Sequence, residues 1–133
     1  MNKKTTTTKQ TEFIPATPDE VYDAFIDADR HTEFTGSKAT CDPKVGGKFT
    51  AWDGYISGEN LELEKGKRIV QEWKTTEWPS GYPPSVLEFS FKKKGDGTEL
   101  TMVHSNVPDS QAESYRQGWI DAYWKAYFEK RRA

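Results

Sequence analysis

The segment Ser110–Arg132 restricts the fold more than any other part of the chain. Wound at roughly 100° per residue, it has a narrow polar arc of Gly118, Asp121, Lys125 and Glu129. Asp121, Lys125 and Glu129 also form i,i+4 charge pairs along that arc. Most of the remaining circumference is apolar or aromatic: Tyr115, Trp119, Ile120, Ala122, Tyr123, Trp124, Ala126, Tyr127 and Phe128. A surface helix needs an apolar stripe only a little over ~100° wide. This helix, about 31 Å long, must therefore be covered on more than one side. Two arrangements satisfy it: deep packing on a sheet, or packing in which part of the aromatic surface lines a ligand cavity or meets a partner.

The rest of the chain supplies a sheet. Thr5–Ile14 is β-branched and reads as an edge strand running up to Pro15. Thr17, Pro18 and Glu20 form a helix start, with Thr17 as N-cap, Pro18 at the first helical position and Glu20 closing a capping box. Val21, Tyr22, Ala24 and Phe25 then share one side, and Asp27–Phe34 reads as a second short helix before Gly36. From Ser37 to Ser105 strands alternate with turns. Val45–Phe49 is a turn or bulge opening the strand Phe49–Trp52, with Gly47 as the residue whose backbone needs glycine, and Asp53-Gly54 is a hairpin signal. Tyr55–Glu64 changes its apolar parity between Ile56 and Leu61, and Gly58 between them suggests a bulge or a bend there. Arg68–Thr75 places Ile69 and Trp73 on one face. Trp78–Pro84 is a Pro-rich loop, and Ser85–Lys93 puts Leu87, Phe89 and Phe91 together. Thr98–Ser105 does the same with Leu100, Met102 and His104. The order of strand, two short helices, meander and long helix predicts an α+β architecture in one domain over 1–133, with residues 1–4 as a flexible tail.

Composition excludes several classes. The 133 residues suit a single core, and five Trp, six Tyr and seven Phe carry its burial in a chain that is 30% charged. A net charge of −2 lacks the basic excess of a nucleic-acid protein. No apolar run reaches the length of a membrane span, and no apolar stretch of a signal peptide follows Met1. With Cys41 alone, the chain reads as cytoplasmic.

Several short motifs in a fixed order are similar to the C-terminal domain of the activators of Hsp90 ATPase. They are Val45-Gly46-Gly47-Lys48-Phe49, Asp53-Gly54, Ile56-Ser57-Gly58-Glu59, Ile69-Val70 with Trp73, Trp78-Pro79 with Gly81, Thr98-Glu99-Leu100, and Arg116-Gln117-Gly118-Trp119 followed by Tyr123. The resemblance runs from about Phe13 to Phe128. It implies the helix-grip fold shared with START and Bet v 1-like domains: a curved antiparallel sheet wrapped around a long C-terminal helix, with two short helices after the first strand. Such domains commonly enclose an apolar cavity between sheet and helix. The residues placed to line it here are Trp52, Trp73, Phe89, Met102, His104, Tyr115, Trp119 and Tyr123, with Trp78 and Tyr82 at its rim. The family is associated with stress response and assistance of the Hsp90 chaperone. Its eukaryotic members carry an additional N-terminal domain that makes the main Hsp90 contact, and no part of this sequence matches that domain.

Chemistry beyond binding has few candidates. His31, His104 and Cys41 have no metal-ligand spacing, so no metal or cofactor is assigned. His31 reads as exposed on its short helix and Cys41 as a semi-buried small residue. Val45–Lys48 lacks the spacing of a phosphate loop. His104 points inward by alternation and suits either a ligand's polar group, an acid–base role, or a core hydrogen bond. No paired acid and base is visible, and no catalytic residue is assigned. Three functions follow: a non-catalytic domain that binds a small apolar ligand, a module interacting with an Hsp90-type chaperone, and a small cyclase- or hydratase-like enzyme using the cavity.

Overall fold

In the computed structural model, which describes residues 4–35 and 37–119, the β-branched start of the chain is strand β1 (Thr5–Ile14). Helix α1 (Pro18–Ile26) follows and carries the expected capping box. The Thr17 hydroxyl accepts the Glu20 N–H at 3.2 Å, and the Glu20 carboxylate accepts the Thr17 N–H at 3.1 Å. Asp27 ends α1 and begins α2 (Ala28–Thr35): its N–H donates back to the Asp23 carbonyl, while its carboxylate accepts from the N–H groups of Asp29 and Arg30. One aspartate thus serves the end of one helix and the start of the next, turning the chain sharply.

The remaining strands are β2 (Thr40–Cys41), β3 (Lys48–Ala51), β4 (Ile56–Glu64), β5 (Arg68–Thr75), β6 (Ser85–Lys94) and β7 (Gly97–Pro108). They form a seven-stranded antiparallel sheet in the order β1-β7-β6-β5-β4-β3-β2. β1 and β2 are its opposite edges, so α1 and α2 carry the chain across one face. Helix α3 (Asp109–Trp119) leaves β7 directly and returns over the same face, tied to β1 by a Gln10 Nε2 bond to the Arg116 carbonyl at 3.0 Å. The core lies between sheet and helices. Ile69, Phe89 and Met102 are paired neighbours across β5, β6 and β7, and Val21, Phe25 and Trp119 cover them. Each large apolar side chain of this kind contributes about 1.5–3 kcal/mol by leaving water.

Three local expectations are corrected. The β4 bulge sits between Asn60 and Glu62, not at Gly58. The extra residue lets Leu63 share the inward face with Asn60. Asn60 is fully buried there: Nδ2 donates to the carbonyls of Asp42 (3.0 Å) and Lys44 (3.3 Å), and Oδ1 accepts from Gln71 Nε2 (2.9 Å). Gly58 has a different job: a Cβ there would lie 1.8 Å from the Glu72 carbonyl oxygen and 2.7 Å from a Phe49 ring carbon, so it allows β4 to pass close. In the turn before β3, the left-handed backbone belongs to Gly46 (φ 83°), while Gly47 is held by space, with an added Cβ only 2.2 Å from the Asp42 carbonyl oxygen. His31 is buried rather than exposed, its ring edge-on to Phe25 at 5.9 Å in the α1–α2 corner. The tail residues Met1–Lys3, and Tyr123, Trp124 and Phe128 of the C-terminal segment, lie outside the described residues.

Candidate ligand cavity

β3 ends in a turn that few sequences tolerate. Trp52 (φ 54°), Asp53 (φ 57°) and Gly54 (φ 87°) are consecutive left-handed residues, and the Asp53 N–H is anchored on the Lys38 carbonyl at 2.8 Å. A bulky residue in this region costs about 1–2 kcal/mol. The turn aims Trp52 and Tyr55 across the end of the sheet toward α3. There they meet Tyr115, Gly118 and Trp119, with Ile56 and Trp73 below, and these seven described residues line an open apolar cavity of about 280 Å³. A second void of about 20 Å³, room for a single water, lies deeper among Phe25, His31, Cys41, Gln71 and Phe89. Ile56, Trp73 and Trp119 line both and act as the partition.

Trp73 is the hub of the ring packing. Tyr115 meets it edge-on at 5.1 Å, Trp119 lies tilted at 6.0 Å, and Trp78 stands edge-on at 6.1 Å. Trp78 also stacks on Tyr115 at 6.0 Å and donates its Nε1–H to the Pro83 carbonyl at 2.9 Å. Polar atoms gather outside this wall. The Tyr115 hydroxyl donates to Gln111 Oε1 (2.8 Å) and contacts Thr75 Oγ1 (2.7 Å), and Tyr55 donates to Glu77 Oε1 (2.5 Å). Gln111 Nε2 donates to the Glu77 carbonyl at 2.8 Å. Burial, followed by the bond to Glu77, pushes the Tyr55 phenol up to about 12, so it remains a donor.

Of the residues expected at the cavity, Trp52, Trp73, Tyr115 and Trp119 come together at it. Phe89 lines only the water-sized void, and Met102 and His104 line neither. Trp78 and Tyr82 face a separate trench with Ser57, Lys74, Pro79 and Pro84. Trp78 supports the cavity from behind instead of rimming it. Tyr123 lies outside the described residues. Tyr55, Ile56 and Gly118 were not anticipated. Tyr55 follows the Asp53-Gly54 turn signal beside Trp52, which was the available clue. Helical periodicity sets Gly118 on the polar arc, while a glycine among bulky aromatic residues signals a need for space.

His104 is structural in this arrangement. Ser85 Oγ spends its one proton on the Trp73 carbonyl (2.6 Å), so at 2.7 Å it accepts from His104 Nε2–H. The ring packs edge-on against Trp73 at 4.7 Å and Trp119 at 6.5 Å, and burial pushes its pKa down to about 3. Serine is thereby unavailable as a nucleophile, and the imidazole faces no open volume. Burial also raises the Cys41 thiol, which weakens it as a nucleophile. Among the described residues, no three His, Cys, Asp or Glu side chains converge as metal ligands, and no helix is long and apolar enough to cross a membrane.

A curved seven-stranded sheet with two short helices on one side and helix α3 over an apolar cavity defines a helix-grip domain. Residues 15–129 match the family described as Activator of Hsp90 ATPase homolog 1-like protein, and the chain belongs to that family. It is 35% identical over 114 residues to the human activator of 90 kDa heat shock protein ATPase homolog 1, covering 86% of this chain and 33% of that protein. A Dictyostelium discoideum homologue is 34% identical over 119 residues, covering 86% of this chain and 30% of its own length. The chain thus spans about a third of these relatives. The crystal structure of an HSP90 activator from Plasmodium falciparum superposes with a TM-score of 0.83 at 31% identity, covering 90% of this chain and 91% of that one.

Proposed function

We propose that this chain is a non-catalytic binding domain that takes a small apolar molecule between its sheet and α3. One observation carries the reading: an apolar cavity of about 280 Å³ walled by five aromatic residues and a helix glycine. That volume lies just under the ~300 Å³ at which ligand pockets commonly begin, which suits a small molecule. Two costs in the chain support it. Trp52 accepts left-handed backbone strain, which concentrates at functional sites. Gly118 forgoes about 1 kcal/mol of helix propensity relative to alanine although nothing lies within 4 Å of where a Cβ would stand. The test is a titration with the neutral fluorophore N-phenyl-1-naphthylamine, followed by its own emission and by tryptophan quenching. Saturable binding of one molecule per chain is expected, and emission that rises without saturation contradicts the reading.

A second reading has its own support. The relatives that match most of this chain are named as activators of the Hsp90 ATPase, at 34–35% identity for two of them. On this reading the domain contacts an Hsp90-type chaperone and changes its ATPase rate, with the stress-response role that accompanies such a partner. Adding the purified chain to an Hsp90-type ATPase should alter turnover in a concentration-dependent way. A rate unchanged at saturating chain would remove this reading without touching the first.

A further inference from the structure

The cavity's wall selects for charge as well as shape, an inference that rests on reading the cavity as a ligand site. Five of the seven described residues that line it are aromatic: Trp52, Tyr55, Trp73, Tyr115 and Trp119. The other two, Ile56 and Gly118, carry no charge, and no Lys, Arg or His lines the cavity among the described residues. Both tyrosine hydroxyls direct their protons away, Tyr55 to Glu77 and Tyr115 to Gln111. Among the described residues, Glu77 is the carboxylate bonded to the wall, through the Tyr55 hydroxyl. It is fixed there by the Tyr55 hydroxyl, by its own N–H on Thr75 Oγ1 (3.2 Å) and by Gln111 Nε2 on its carbonyl.

Ring faces carry negative quadrupole charge. A carboxylate head entering this site would meet those rings, with the Glu77 carboxylate behind Tyr55 and no cation among the described lining residues to receive it. A neutral hydrocarbon would gain only burial. An ammonium would gain burial, the attraction of the ring faces and the field of Glu77. We infer that the occupant is a small apolar molecule bearing a tertiary or quaternary ammonium, seated with its positive centre among the rings on the Glu77 side.

The experiment compares three probes of similar size by calorimetry: benzyltrimethylammonium, its neutral isostere neopentylbenzene, and 3-phenylpropanoate. The cation should bind about five- to tenfold tighter than the isostere, and the carboxylate weakest. Glu77→Gln should weaken the cation several-fold and leave the isostere unchanged. Trp52→Leu, which keeps apolar bulk but removes a ring, should narrow the gap between the two, and it carries the test alone should Glu77→Gln fail to fold. Equal affinities for cation and isostere, or tightest binding of the carboxylate, overturn this inference and leave the apolar-ligand reading standing. Binding of none of the three overturns both.

Discussion

His31 and His104 are the residues whose chemistry folding changes most. Burial lowers them from 6.5 to about 4 and about 3 respectively. Above pH ~7 both are neutral in either state and the fold has its full stability. As pH falls below 6.5 the unfolded chain takes up protons that the folded chain refuses. Stability is therefore lost progressively toward about pH 4 for His31 and about pH 3 for His104. The loss is about 1.4 kcal/mol per pH unit for each histidine while only the unfolded form is protonated. Urea midpoints should fall between pH 7.5 and pH 5, and His104→Gln should fold and reduce that slope, because an amide can still donate to Ser85 Oγ. Midpoints independent of pH in both proteins would show that the imidazoles are not held neutral. The inward placement of His104 was legible from its alternation with Leu100 and Met102, since strand parity is local. The burial of His31 was not, because it arises where α1 and α2 turn back on each other and on Phe25, a contact that helix periodicity alone does not encode.

At the scale of elements, the loop before β3 and the bulge in β4 form one unit built on Asn60. Its backbone exchanges bonds with Gly46 and Gly47, and its side chain closes on the Asp42 and Lys44 carbonyls and on Gln71. Asn60→Ala leaves these buried groups unpaired and should cost about 2–3 kcal/mol in denaturant unfolding. A loss below ~0.5 kcal/mol would mean that the loop is held by its backbone alone. Gly47→Val drives a side chain into the Asp42 carbonyl and should cost about 1–3 kcal/mol, read as a lowered melting temperature. In α3 the opposite is expected: Gly118→Ala should raise stability by about 0.8–1 kcal/mol, since it improves helix propensity where nothing is crowded. Capping boxes, hairpin turns and alternating strands could be read directly because their determinants lie within a few residues. The bulge was displaced by three residues because Gly58 and Leu61 both explain the same parity change. Only the cross-strand partners, Trp73 facing Gly58 and Gln71 facing Asn60, separate the two.

At the scale of the whole molecule, the first strand forms one edge of the sheet by pairing with the last. The two short helices then cross to the opposite edge, leaving the far end of the β3–β4 hairpin for α3 to cover. Among the described residues the cover leaves space at Gly118, where nothing lies within 4 Å of the position of a Cβ and the cavity opens. The aromatic surplus of the terminal segment predicted that something wraps the helix. It did not predict where the wrapping stops, because that depends on a strained turn more than sixty residues earlier in the chain. The central claim is that this gap is a binding site, and the cavity-filling variant Gly118→Leu tests it most directly. Wild type and variant are compared by thermal melting and by N-phenyl-1-naphthylamine titration. The account predicts that Gly118→Leu melts at or above the wild-type temperature and binds the fluorophore at least about tenfold more weakly, a difference of ~1.4 kcal/mol. A folded Gly118→Leu that binds as tightly as wild type would contradict it.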